Sequence, residues 1–132
     1  MNQELDNVLE RICNQDLRYK RDAYEFVLES LSFTQKKFNR PKHVTGKELL
    51  DGIKELLLSQ YGPMTLSVLD YWGVRNTEGF GHVVFNLVSN RILSRTEEDT
   101  LGDFKNGYDF KETFNVSYRR QLEKKISRMR SF

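Results

Sequence analysis

The sequence predicts an all-α fold, a single compact domain of about six helices with a short acidic loop or minor extended segment before the last one. Three observations carry this expectation. Apolar residues recur at three- and four-residue spacing through most of the 132-residue chain, the signature of amphipathic helices. Capping pairs and glycine or proline stops fall between those stretches. The composition, 38% hydrophobic and 30% charged, is too apolar for a disordered chain and too charged for a membrane protein. At this length roughly two-thirds of the unfolded surface can be buried, enough for one core.

Residues 3 to 14 place Leu5, Val8, Leu9 and Ile12 on one helical face. From about Arg18 to Phe38 the stripe Ala23, Val27, Leu31, Thr34, Phe38 is widened by Tyr24, Phe26 and Leu28. A helix so apolar around its circumference belongs at the centre of the fold. It stops before Pro41, which lacks an amide hydrogen and disfavours helical backbone at the residue before it. Thr45 and Glu48 form a Thr-x-x-Glu capping box, so the third helix starts near Gly46, carries Leu49, Leu50, Ile53, Leu56 and Leu57, and ends at Tyr61.

Gly62 is expected as the left-handed C-terminal cap, with Pro63 as the first residue of a fourth helix containing Leu66, Val68, Leu69 and Trp72 and stopping at Gly73. Asn76 or Thr77 caps a fifth helix bearing Phe80, Val83, Val84, Leu87 and Val88. Gly79 and Gly81 within it predict the close approach of a neighbouring backbone. Ile92 to Arg95 suit a short extended segment, followed by the acidic loop at 97 to 109. Asp109 and Glu112 then cap the last helix, whose apolar face, Phe114, Tyr118, Leu122, Ile126 and Met129, is expected to dock inward. Residues 1–118 are read as the helical domain and 119–132 as a basic helical tail continuing the last helix. Leu31, Leu56, Trp72, Val84 and Leu87 are expected in the core.

Charge is concentrated rather than spread. Residues 36 to 47 hold Lys36, Lys37, Arg40, Lys42 and Lys47 without an acid, and 119 to 130 hold Arg119, Arg120, Lys124, Lys125, Arg128 and Arg130 against Glu123. Each segment is +5, so in a chain of net charge +2 the remainder is −8. Much of the opposite sign lies in the loop at 97 to 109, where Glu97, Glu98, Asp99, Asp103 and Asp109 face only Lys105. Charge runs of this kind belong either to solvated surfaces or to contacts with an anionic partner.

The stretches His43-Val44-Thr45-Gly46-Lys47-Glu48-Leu49-Leu50-Asp51-Gly52, Tyr61-Gly62-Pro63-Met64, Trp72-Gly73-Val74 and Phe80-Gly81-His82-Val83-Val84-Phe85-Asn86 occur in that order, followed by Thr96-Glu97-Glu98-Asp99, Asp103-Phe104 and Tyr108-Asp109-Phe110. Over roughly residues 18 to 114 the chain resembles an uncharacterised conserved hypothetical bacterial family described from planctomycetes and verrucomicrobia. The resemblance implies no activity, cofactor or catalytic residue, and the basic tail lies outside it.

The raw material for catalysis is thin. Cys13, His43 and His82 lie in three separate segments, with no nucleophile elbow and no histidine pair at zinc spacing. Cys13, beside Ile12, reads as a small apolar side chain. As the single cysteine it cannot form an intramolecular disulfide, which suits a reducing compartment. With no apolar span or leader expected, the location is the cytoplasm. Near Gly46-Lys47 a phosphate loop fails, because Glu48 stands where Ser or Thr should bind magnesium and Pro41 where the first glycine should be. The acidic loop offers oxygen ligands but not calcium-loop spacing; its acids can instead cap turns or pair with a basic segment. Helices four and five suit a structural hairpin better than a helix-turn-helix reader, since the fifth offers Glu78, His82, Asn86, Ser89 and Asn90 to bases, with an acid leading.

Anion binding has the clearer physical case. A helix starting near Gly46 points its free amides at Arg40, Lys42, His43 and Lys47. On the last helix Arg120, Lys124 and Arg128 are spaced by four and can track a phosphate backbone. The expected function is a non-enzymatic macromolecular binding module, first an adaptor for a protein partner, second a sequence-tolerant nucleic-acid binder, and third an enzyme of unknown type. No catalytic residue, metal, cofactor or membrane partner is expected.

Overall fold

The structure, a computed structural model, describes residues 3–94 and 101–129. All regular structure among them is helical: α1 (Gln3–Gln15), α2 (Arg21–Lys37), α3 (Gly46–Tyr61), α4 (Thr65–Trp72), α5 (Thr77–Ser89) and α6 (Ser117–Met129), with short 3-10 turns at Gly62–Met64 and Leu101–Phe104. The all-α expectation is what the described residues adopt. The packed body has five helices rather than six, because α6 does not enter it: every side chain from 119 to 129 is exposed. Phe114, the first member of the face expected to dock inward, is buried, but Leu122 and Ile126 are 43% and 44% exposed and Met129 67%, so from 122 onward that face meets water.

The central place of α2 follows from its broad apolar girth. It packs on α1, α3, α4 and α5 and buries Ala23, Tyr24, Phe26 and Val27 together with Ile12, Ile53, Leu57, Leu69, Trp72, Phe80 and Leu87 from its neighbours. Leu56, Trp72 and Leu87 are buried as expected; Leu31 and Val84 are only partly buried at the edge of the core. The crossing of α2 and α3 is close because Gly52 has no side chain: a Cβ there would stand 1.8 Å from Thr34 Oγ1.

Local signals set most boundaries. Thr45 Oγ1 accepts from the Glu48 amide at 3.0 Å and Glu48 Oε1 from the Thr45 amide at 2.8 Å, closing the capping box. Asn76, rather than Thr77, caps α5, its Oδ1 accepting from the Gly79 amide. Asp109 Oδ2 accepts from the Glu112 amide, and helical backbone then runs from 110 through a π turn at Glu112–Val116 into α6. Gly73 ends α4 at φ 85°, ψ 9°, in the left-handed region.

Four expectations are corrected. Gly62 has positive φ but ψ of −123°, outside the left-handed helical region, and Pro63 lies in the 3-10 turn ahead of α4. The close backbone approach occurs at Gly73, where a Cβ would meet Arg18 O at 2.1 Å; at Gly81 the neighbour is the side chain of Phe104, with Cβ 2.9 Å away. Residues 92 and 93 form a bend, not an extended segment, because the Ile92 and Leu93 amides turn back to Leu87 O; Arg95 lies outside the described residues. Of the acidic loop, 97 to 100 lie outside them too, while 101 to 109 folds onto the body through buried Phe104.

Candidate functional site

The loop between α2 and α3 is the first anion-site candidate, and the structure brings two of the chain's own carboxylates to it. The capping box takes up the Glu48 amide, one of those a phosphate would need, and the Thr45 amide before it. Arg40 Nη1 lies 3.3 Å from Glu48 Oε1, and Asp103 leans over the same helix end, its Oδ2 3.2 Å from where a Gly46 Cβ would stand. Two carboxylates thus occupy the positive end of α3. Lys42, His43 and Lys47 are exposed around it, and the Lys42 carbonyl accepts from Gln35 Nε2. Lys37 pairs with Glu55.

The second candidate, on α6, is exposed throughout. Arg120 lies 3.5 Å from Glu112; Lys124 and Arg128 are exposed beside it. Helix α6 packs chiefly on the Glu112–Val116 turn that precedes it. At 3.6 residues per turn, Arg119 and Lys125 flank the stripe Leu122, Ile126, Met129 at about 60° to either side, whereas Arg120 and Lys124 stand on the far face.

A polar cluster that sequence reading missed joins the α1–α2 linker to α5. Arg18 Nε and Nη2 donate to the two Asp16 oxygens at 2.9 and 2.8 Å. Asn86 Nδ2 donates to Asp16 Oδ2 and to Tyr24 OH, both at 2.9 Å. The Arg18 side chain, with Asn86 in support, holds the Asp16 carboxyl well below the usual carboxylate range against the opposing effect of burial. Burial pushes the Tyr24 phenol up to about 12 and raises Tyr19 as well.

Tyr19 OH lies 2.8 Å from His82 Nδ1. Arg18 Nη1, which can only donate, lies 3.4 Å from the same nitrogen, so Nδ1 is the acceptor and the Tyr19 hydroxyl donates to it; this tautomer is inferred from the bonding. The group in reach of His82 is therefore a donor rather than an attacking nucleophile. The depression beside it, about 250 Å³, is lined by Glu78, His82, Gly102 and Lys105, and the Asn106 amide bond draws the Glu78 carboxyl below its ordinary value. Burial raises the Cys13 thiol, which leaves it less reactive than a free one. Among the described residues no three His, Cys, Asp or Glu side chains are grouped to hold a metal, and no helix is long and apolar enough to cross a membrane.

Between α2 and α4 a groove of about 490 Å³ has an aromatic floor and an acidic rim. Buried Phe26 and Trp72 lie tilted at 5.1 Å between ring centres, and Tyr61 meets Trp72 edge-on at 5.8 Å. Asp22, Glu25 and Glu29 line one wall. Burial, and behind it the charge of Glu29 and Asp22, raises the Tyr61 phenol. Comparison of the chain with protein-family models, curated proteins and solved structures finds no match.

Proposed function

We propose that the chain is a non-enzymatic binding module that engages a protein partner through α6. One observation carries this reading: a helix outside the packed body exposes Leu122, Ile126 and Met129 in a row, bordered by Arg119 and Lys125. Leaving three large apolar side chains in water forgoes on the order of 1–2 kcal/mol each relative to burial. An apolar groove with acidic margins recovers that energy and pairs the cations, the helix-in-groove mode of recognition. A phosphate backbone would take the cations and leave the stripe wet, which is why the protein-partner reading ranks above the nucleic-acid one. The family resemblance, carrying no activity, adds nothing to the choice.

The test is capture from lysate on the immobilised full chain, with and without nuclease, beside a Leu122→Glu, Ile126→Glu variant and an Arg120→Ala, Lys124→Ala, Arg128→Ala variant. A partner retained after nuclease, lost in the first variant and kept in the second, is the expected result. Retention that nuclease abolishes and the triple alanine variant weakens would instead establish the phosphate-backbone reading.

A further inference from the structure

We propose that two copies of the chain form a two-fold dimer in which α6 of each lies in the acidic, aromatic-floored groove between α2 and α4 of the other. This rests on the reading of α6 as the docking element and names its occupant. The groove and the helix are complementary in both charge and polarity. On α2, Asp22, Glu25 and Glu29 are spaced by three and four and so share a face. Glu25 pairs with Arg21 and Glu29 accepts from Gln60, but Asp22 has no cation partner among the described residues. Tyr71, 65% exposed, edges the floor.

Helix α6 presents the converse surface. Its cations Arg119 and Lys125 straddle the aliphatic stripe, so seating Leu122, Ile126 and Met129 on the accessible edges of Tyr61, Val68 and Tyr71, above buried Phe26 and Trp72, brings one cation to the acidic wall on α2 and the other toward the exposed Tyr71 ring. Methionine sulfur on aromatic rings and cations over ring faces both favour that arrangement. The helix does not pack on its own groove: backbone from 110 to 129 is continuously helical, its 112–116 turn is fixed on α4 and on the Gly62–Met64 turn, and α6 itself packs chiefly on that turn. A second copy meets no such constraint. Reciprocal docking also makes every contact twice and closes the assembly instead of extending it into a filament.

Sedimentation velocity on the full chain tests this, at concentrations up to about 100 µM, in low and in high salt. The groove variant is Asp22→Lys, Glu29→Lys and the helix variant is Arg119→Glu, Lys125→Glu, all at positions with outward side chains. Wild type is expected to dimerise at low salt and dissociate as salt rises, and each variant alone to dissociate about tenfold more readily. An equimolar mixture of the two variants should regain dimers, since each groove then meets a helix of opposite charge. A monomeric wild type, variants that dimerise unchanged, or a mixture that stays monomeric overturns the proposal. A monomer that still loses its lysate partner on Leu122→Glu, Ile126→Glu overturns the dimer and leaves the adaptor reading standing. A salt-sensitive dimer restored by mixing, with no lysate partner, supports the dimer and ends the wider adaptor reading.

Discussion

Gly52→Ala is the most searching test of the fold, because local and tertiary effects oppose each other there. In an isolated helix the change stabilises by roughly 1 kcal/mol, since alanine is the better helix former. In this fold the new Cβ would stand 1.8 Å from Thr34 Oγ1 and 3.0 Å from Thr34 Cβ. Either α2 and α3 separate or Thr34 rotates, and rotation breaks the bond that Thr34 Oγ1 donates to Ser30 O at 2.6 Å. Overpacking of this kind costs about 1–3 kcal/mol, and the lost hydrogen bond about 1 kcal/mol more. Set against the propensity gain of about 1 kcal/mol, the net is a destabilisation of roughly 2 kcal/mol. Urea unfolding followed by circular dichroism reads it directly. Adding Thr34→Ala removes the clashing hydroxyl, so the double variant should be more stable than the sum of the singles by about 1 kcal/mol or more. A Gly52→Ala protein as stable as wild type, or more so, would refute the close crossing of α2 and α3.

Leu56→Ala should cost ~2 to 5 kcal/mol in the same assay, because Leu56 is buried against the core; a loss under about 0.5 kcal/mol would remove it from there. By contrast, Leu122→Ser with Ile126→Ser should change stability by less than about 0.5 kcal/mol in dilute monomeric protein, since neither side chain packs on the body; a larger loss would mean that α6 docks after all. For pH, a carboxyl whose folded pKa is depressed contributes stability that is complete above its unfolded value near 4 and is lost as pH falls below it. Asp16 is such a group, held down first by Arg18. Asp16→Asn should therefore flatten the acid limb of the stability curve below about pH 4, and parallel curves for the two proteins would contradict the assigned pairing.

The polar cluster and the aromatic groove illustrate what sequence spacing cannot show. Asn86 is 70 residues from Asp16 and 62 from Tyr24, and Tyr19 is 63 from His82. No helical period relates such positions, so His82 read as an isolated histidine. The acids of the groove wall drew no reading, Tyr61 read only as the end of a helix, and Trp72 read as core, which it is, without the groove above it. The surroundings of the anion candidate at 36 to 47 were legible only in part for a similar reason: Glu48 was legible as a cap, but that Arg40 would turn to it and Asp103 would lean over the same end depended on long-range packing.

By itself, the sequence determined the helical class and nearly every helix boundary, because capping and chain reversal are decided within a few residues. Thr45 with Glu48, Gly73, Asn76 and Asp109 with Glu112 each act through a bond or backbone conformation of their own neighbourhood. It also determined which face of each helix is apolar. What that face meets was decided by the tertiary structure alone. The stripe on α5 lies in the core and the stripe on α6 lies in water, although both have the same kind of periodicity, because burial depends on whether the rest of the chain leaves room beside a helix, and no spacing within the helix records that.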